Sequence, residues 1–167
     1  ETDRSTDGQS LSVPEAPRVR FRPPGNTWIR WSSIAYYHIN IIFNKYNGKC
    51  AYSGTELKDD WQVDHVKPRI MFEIGSYQYE GNPNDINNLV PCQKIINHYK
   101  RALDLETFRT WFLAGLHVRL KKLPKNPKVE KSIKKKAYLL EVAYLFGISE
   151  DSPFSGKFYF EKLELNN

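Results

Sequence analysis

Four side chains between residues 63 and 100 could do chemistry together. Asp64 and His65 close the β-prone run Trp61-Gln62-Val63. Asn88 stands in Asn87-Asn88-Leu89-Val90-Pro91, and Asn97 in Ile95-Ile96-Asn97-His98-Tyr99-Lys100. A carboxylate, an imidazole and two amides offer hard oxygen donors and a proton acceptor at neutral pH. That combination suits a divalent cation and a water to be deprotonated.

The elements that must position these residues can be read around them. Trp61 to Val66 is rich in strand formers. Strict alternation would send Asp64 and His65 to opposite faces, so the strand is expected to end or distort there if both serve one site. Residues 67–84 hold Pro68, Gly75, Gly81 and Pro83 and read as a long loop. Asn84 to Asn88 leads into a short strand at Leu89-Val90. Residues 92–101 read as a two-faced helix. Cys92, Ile95, Ile96 and Tyr99 recur at helical spacing and should point inward. Lys94, Asn97 and Arg101 share another face.

This order and spacing resemble the HNH nuclease family in its His-Asn-Asn form. The resemblance rests on Asp64-His65, Asn88-Leu89, Asn97 and Lys100. The nine-residue step from Asn88 to Asn97 is also that of the HNH domain of RNA-guided CRISPR nucleases. Asn97-His98-Tyr99-Lys100-Arg101, Leu105-Glu106-Thr107-Phe108-Arg109 and the later Phe158-Tyr159-Phe160-Glu161 are similar to small stand-alone HNH proteins of bacteria and their phages. The likeness is strongest over 48–110, weakens towards the end, and does not touch the first 25 residues.

The resemblance implies an α+β, mainly helical domain built around a ββα-metal motif. Its core would span about 48–102, with a helical extension at 104–167. It implies a DNA endonuclease that leaves a 5′-phosphate and a 3′-hydroxyl. His65 would be the general base, since imidazole exchanges protons near neutral pH. Asp64 and Asn97 would bind one Mg²⁺ ion, with Mn²⁺ as a substitute, and Asn88 would orient His65 by a hydrogen bond. Lys94, Lys100 and Arg101 are candidate phosphate contacts on double-stranded DNA. Two other functions fit the same residues: an inactive nucleic-acid-binding module on this scaffold, or an RNA-cleaving toxin nuclease. Many relatives also carry two Cys-x-x-Cys pairs around a structural zinc. Here those positions read Cys50, Ser53, Gln93 and Ile96, with Cys92 one place out of register. A tetrahedral site needs four donors, so no structural zinc is expected.

The composition agrees with a folded, nucleic-acid-facing protein. The chain has 167 residues, 40% hydrophobic, enough for one domain with a core. Two cysteines make no disulfide framework, and no apolar run approaches the length of a membrane span. Free thiols in a reducing cytoplasm are therefore expected, and the resemblance implies that of a bacterial host or a phage-infected cell. Net charge is +6 but unevenly placed. From Arg119 to Lys136 there are nine Lys/Arg against one acidic residue, and the remainder is slightly negative. Such a block favours a polyanion, and Lys134, Lys135 and Lys136 are its candidate phosphate contacts.

Around this centre the chain divides simply. Residues 1–26 read as a flexible arm, with Arg18, Arg20 and Arg22 near its end and Arg30 just beyond it as possible phosphate contacts. Residues 27–167 form the domain. Residues 28–46 read as a well-buried helix through Trp31, Ile34, Tyr37, Ile41 and Ile42. Asp104 is a good N-cap for a helix carrying Leu105, Phe108, Phe112 and Leu116 to about Leu120. A second helix runs from about Val129 to Phe146, with Ile133, Ala137, Leu140 and Tyr144 inward. Phe158 to Leu163 reads as a final strand.

Overall fold

The computed structural model describes residues 33–74 and 80–164. The arm 1–26, its arginines, Arg30, Trp31 and Gly75 lie outside them. Helix α1 (Ser33–Asn44) leads through a turn to strand β1 (Gln62–His65). A short helix α2 (Arg69–Glu73) follows, then a 3₁₀ turn at Ile86–Asn88, strand β2 (Leu89–Cys92) and helix α3 (Lys94–Lys100). The expected long loop therefore contains a helix of its own. Five helical segments complete the described residues: α4 (Leu105–Thr107), a π turn (Phe108–Leu113), α5 (Leu116–Lys121), α6 (Glu130–Leu145) and α7 (Tyr159–Glu164). The described residues thus form an α+β fold that is mainly helical.

Strands β1 and β2 pair antiparallel, with Gln62 opposite Cys92, Asp64 opposite Val90 and His65 opposite Leu89. Pro91 is tolerated mid-strand because, among the described residues, the sheet has two strands and no third one needs its missing N–H. Its carbonyl instead accepts from Ala51 N at 2.9 Å, which lays the 50–55 turn across the sheet. Gly54 closes that turn at φ +74°, with its N–H on Cys50 O. A Cβ there would lie 2.6 Å from the Tyr159 ring. Glycine is needed twice over, for its conformation and for its lack of a side chain.

On α1, Ile42 is buried but Ile41 is exposed, so the helix is not apolar-packed all round. Lys45, at its end, donates to the carbonyls of Ile86 and Leu89 and so ties α1 to β2.

Asp104 caps α4 as expected, accepting from Thr107 N at 2.9 Å. The helix beyond it is not regular. Ala114 N bonds to Arg109 O, a step of five residues. The wider turn lets Phe108 and Leu113, five apart, both be fully buried. The Arg119 guanidinium is drawn onto the Phe112 carbonyl and the Tyr99 hydroxyl.

Helix α6 presents the other face from the one its periodicity suggested. Leu139, Val142 and Ala143 are buried, while Ile133, Leu140 and Tyr144 are exposed, Tyr144 by 82%, and Ala137 is exposed as well. The helix carries two apolar stripes. The aromatic core selects one, because Tyr138 meets Tyr99 and Phe146 meets Phe108 and Phe158 edge-on.

The last segment is a helix rather than a strand. Glu161 accepts the Phe158 amide at 2.8 Å, and the amides of Tyr159 and Phe160 donate to Tyr52 O and Ala51 O. These bonds satisfy the first N–H groups of α7, which the helix itself cannot.

Candidate active site

Helix α3 packs over the end of β1, and two side-chain ties fix the pair. Asn97 Nδ2 donates to Gln62 Oε1 at 2.8 Å. Lys100 Nζ lies 3.0 Å from Asp64 Oδ2 and donates to His65 O at 2.9 Å. Gln62 and Asp64 are two apart on the strand and so share the face turned to α3. With its nitrogen held by Gln62, the Asn97 amide turns its oxygen free to accept or to ligate.

Asp64 is 6% exposed. Its Oδ2 also accepts from the Tyr52 hydroxyl at 2.6 Å, leaving Oδ1 for a further ligand. Burial first, and the Asp64 charge second, push the Tyr52 phenol well up, so it remains a donor. Lys100, expected to touch phosphate, is only 1% exposed. Its charge is turned inward, where an ion pair and a carbonyl offset its desolvation. Lys94 and Arg101 do face outward, Lys94 in a loose 3.6 Å pair with Asp60.

Strand β1 ends at His65, which is partly exposed while Asp64 is buried. The ring is met from outside the motif: His65 Nε2 lies 3.1 Å from Asn84 Oδ1. The expected hydrogen bond from Asn88 is replaced by another arrangement. Asn88 Oδ1 accepts from Lys67 N at 2.8 Å, and its Nδ2 donates to Lys67 O and Pro83 O. Asn88 therefore clamps the backbone on both sides of the 67–83 excursion. The reason is positional: at the end of a 3₁₀ turn its amide faces unpaired loop carbonyls, not the ring.

The degenerate cysteine positions form a closed joint. Cys50 and Cys92 are fully buried, and the Cys92 thiol donates to the Gln93 carbonyl at 3.3 Å. Burial alone would raise the Cys50 thiol, but hydrogen bonds from Cys92, Ser53 and Gln93 bring it down to about 6. Burial and the interaction with Cys50 push Cys92 well up. Gln93 reaches across to the Glu56 carbonyl, and Ile96 is fully buried.

Among the described residues no three His, Cys, Asp or Glu side chains converge as a metal site. A cation at this place would rest on Asp64 Oδ1, the Asn97 oxygen and ligands from outside the chain. That donor set fits a magnesium-type ion, which commonly keeps several waters and takes one or two carboxylates plus substrate phosphate.

In the basic block, Lys134 pairs with Glu130 and Lys135 is exposed. Lys136, expected at phosphate, instead donates to the Pro124 and Lys125 carbonyls. No helix among the described residues is long and apolar enough to cross a membrane.

Tyr52, Gln62 and Asn84 were not legible as site residues. Gln62 could have been found from its two-residue spacing to Asp64. A buried Tyr52 needs a hydroxyl partner, but nothing in the sequence said which one. Asn84 sits among four asparagines between 82 and 88, and no local pattern singles it out. No family model, curated protein or solved structure matches this chain.

Proposed function

We propose that the protein is a metal-dependent endonuclease that hydrolyses phosphodiester bonds of double-stranded DNA. The observation that carries this reading is the junction of β1 and α3. There, Asn97 is tied to Gln62, and Lys100 is tied to Asp64 and to the backbone carbonyl of His65. The order of these residues resembles HNH nucleases, and their chemistry suits attack of water on phosphorus.

His65 takes a proton from the attacking water. The new oxygen–phosphorus bond forms as the bond to the 3′ oxygen breaks, and that oxygen leaves as a hydroxyl after protonation by solvent. Asp64 and Asn97 would hold a divalent cation, which would supply charge stabilisation at the phosphoryl group. Outward-facing Lys94 and Arg101 hold backbone phosphate, a contact that fixes position rather than sequence.

The test is conversion of supercoiled plasmid with Mg²⁺ or Mn²⁺. Wild-type protein is expected to cut, chelator to stop it, and His65→Ala to lose at least about a hundredfold in rate with binding and melting temperature preserved. Wild-type protein that leaves DNA intact in both ions overturns the reading. Cleavage of RNA alone reassigns the substrate.

A further inference from the structure

We infer that Asn84, in the turn before the second strand, is the positioning residue for His65, and that it leaves Nδ1 as the nitrogen that accepts the proton. The inference rests on the nuclease reading and names a residue outside the motif that suggested it.

Three observations support it. The Asn84 oxygen faces His65 Nε2 at 3.1 Å. A carbonyl oxygen only accepts, so the ring nitrogen facing it carries the hydrogen. The remaining lone pair is then on Nδ1. Second, Asn84 is not a freely moving loop residue. Its backbone N–H bonds to Asn82 Oδ1 at 2.9 Å, and the preceding Pro83 carbonyl is held by Asn88 Nδ2 at 2.8 Å. Third, the other end of the same clamp holds Lys67, two residues beyond His65. Asn88 thus fixes both backbone segments whose side chains meet at the imidazole. Its influence on His65 runs through the main chain and through Asn84.

A second donor or acceptor on a ring nitrogen is the ordinary way a tautomer and a ring orientation are set. Without it the ring is free to turn about its side-chain bonds, and the fraction of time in a reactive pose falls. Misplacement of a reacting group by about 1 Å can cost on the order of a hundredfold.

The experiment compares wild type with Asn84→Ala and Asn84→Asp. Asp keeps an acceptor of the same length. Each is examined by ¹⁵N NMR of the His65 ring and by single-turnover cleavage of a DNA duplex under saturating protein. The wild-type ring is expected to carry its hydrogen on Nε2, in a hydrogen-bonded, slowly exchanging N–H. In Asn84→Ala that signal should be lost to exchange, the single-turnover rate should fall about 10- to 100-fold, and duplex affinity and melting temperature should hold. Asn84→Asp should restore the N–H signal. A hydrogen on Nδ1 in the wild type, an Nε2 signal indifferent to Asn84→Ala, or an unchanged rate in Asn84→Ala each overturns the proposal. Should the wild type fail to cleave at all, the nuclease reading falls and with it the role of Nδ1. The NMR arm then still decides whether Asn84 holds the ring.

Discussion

Lys100 carries a charge almost wholly removed from water, and its cost must be met locally. Asp64 Oδ2, the His65 carbonyl and the Tyr52 ring surround it. Removing one partner of a buried ion pair leaves the other charge uncompensated, typically at about 3–5 kcal/mol. Lys100→Met should therefore lower the urea midpoint strongly. Lys94→Ala, whose ammonium is exposed beside Asp60, should stay within about 1 kcal/mol of wild type. A Lys100→Met protein that unfolds at the wild-type midpoint would show that the pair contributes nothing to stability. The sequence held a clue to this burial. Ile96, Tyr99 and Lys100 are spaced i, i+3, i+4, which is one stripe of a helix. A charged residue on an apolar stripe signals an internal partner. Its fit to a known motif, and the general habit of lysine near nucleic acid, pointed the other way.

At the level of elements, periodicity located most of the helices, missed α2 and α7, and chose the wrong face of α6. The cause differs in each case. The helix after Asp104 looks regular because Leu105, Phe108, Phe112 and Leu116 are well spaced, yet burying Leu113 with Phe108 requires the π turn. Helix α6 has two apolar stripes, and only the aromatic core across from it decides between them. Helix α7 mimics a strand because Phe158 and Phe160 are two apart. Its state is set by carbonyls of Tyr52 and Ala51, from the far end of the domain's sequence. The strand pair and α3 were legible because turn residues and the motif mark their ends. One tie in this set has a pH signature. Arg109 clasps Glu161, joining the π turn to α7. Burial would raise the Glu161 carboxyl, but the hydrogen bonds from Arg109 and the Phe158 amide outweigh it, and its pKa is lowered from 4.5. A depressed carboxyl contributes stability that is present above its unfolded value and lost as pH falls through the folded one. Glu161→Gln should therefore melt below wild type at neutral pH. The gap should narrow once the pH falls below about 4.5. Melting curves across that range check this, and a gap that does not change with pH would remove the charge from the account.

Over the whole molecule, charge is segregated onto the end of α5, the linking loop and the first half of α6. The proposed DNA partner would meet it there, but the lysines are not equivalent. Arg119 is folded inward over Tyr99 and Phe112. Lys136 braces the Pro124–Lys125 turn, so its ammonium is spent on the fold. Lys134 has an exposed partner in Glu130, which costs little to exchange for phosphate. Lys135 stands in solvent. Each phosphate neutralised releases condensed counterions, and the log–log salt slope falls by about 0.9 for every phosphate that is no longer neutralised. Lys134→Ala combined with Lys135→Ala should therefore weaken binding to every duplex alike and reduce the slope by up to about 1.8. Lys136→Ala should lower the melting temperature, because two turn carbonyls lose their donor, and leave the slope nearly unchanged. Fluorescence anisotropy over a salt series, with melts of the same proteins, separates the two effects. A double variant with the wild-type slope would make the block a solvated face. A slope that drops only in Lys136→Ala would mean that this lysine leaves its turn to meet the phosphate.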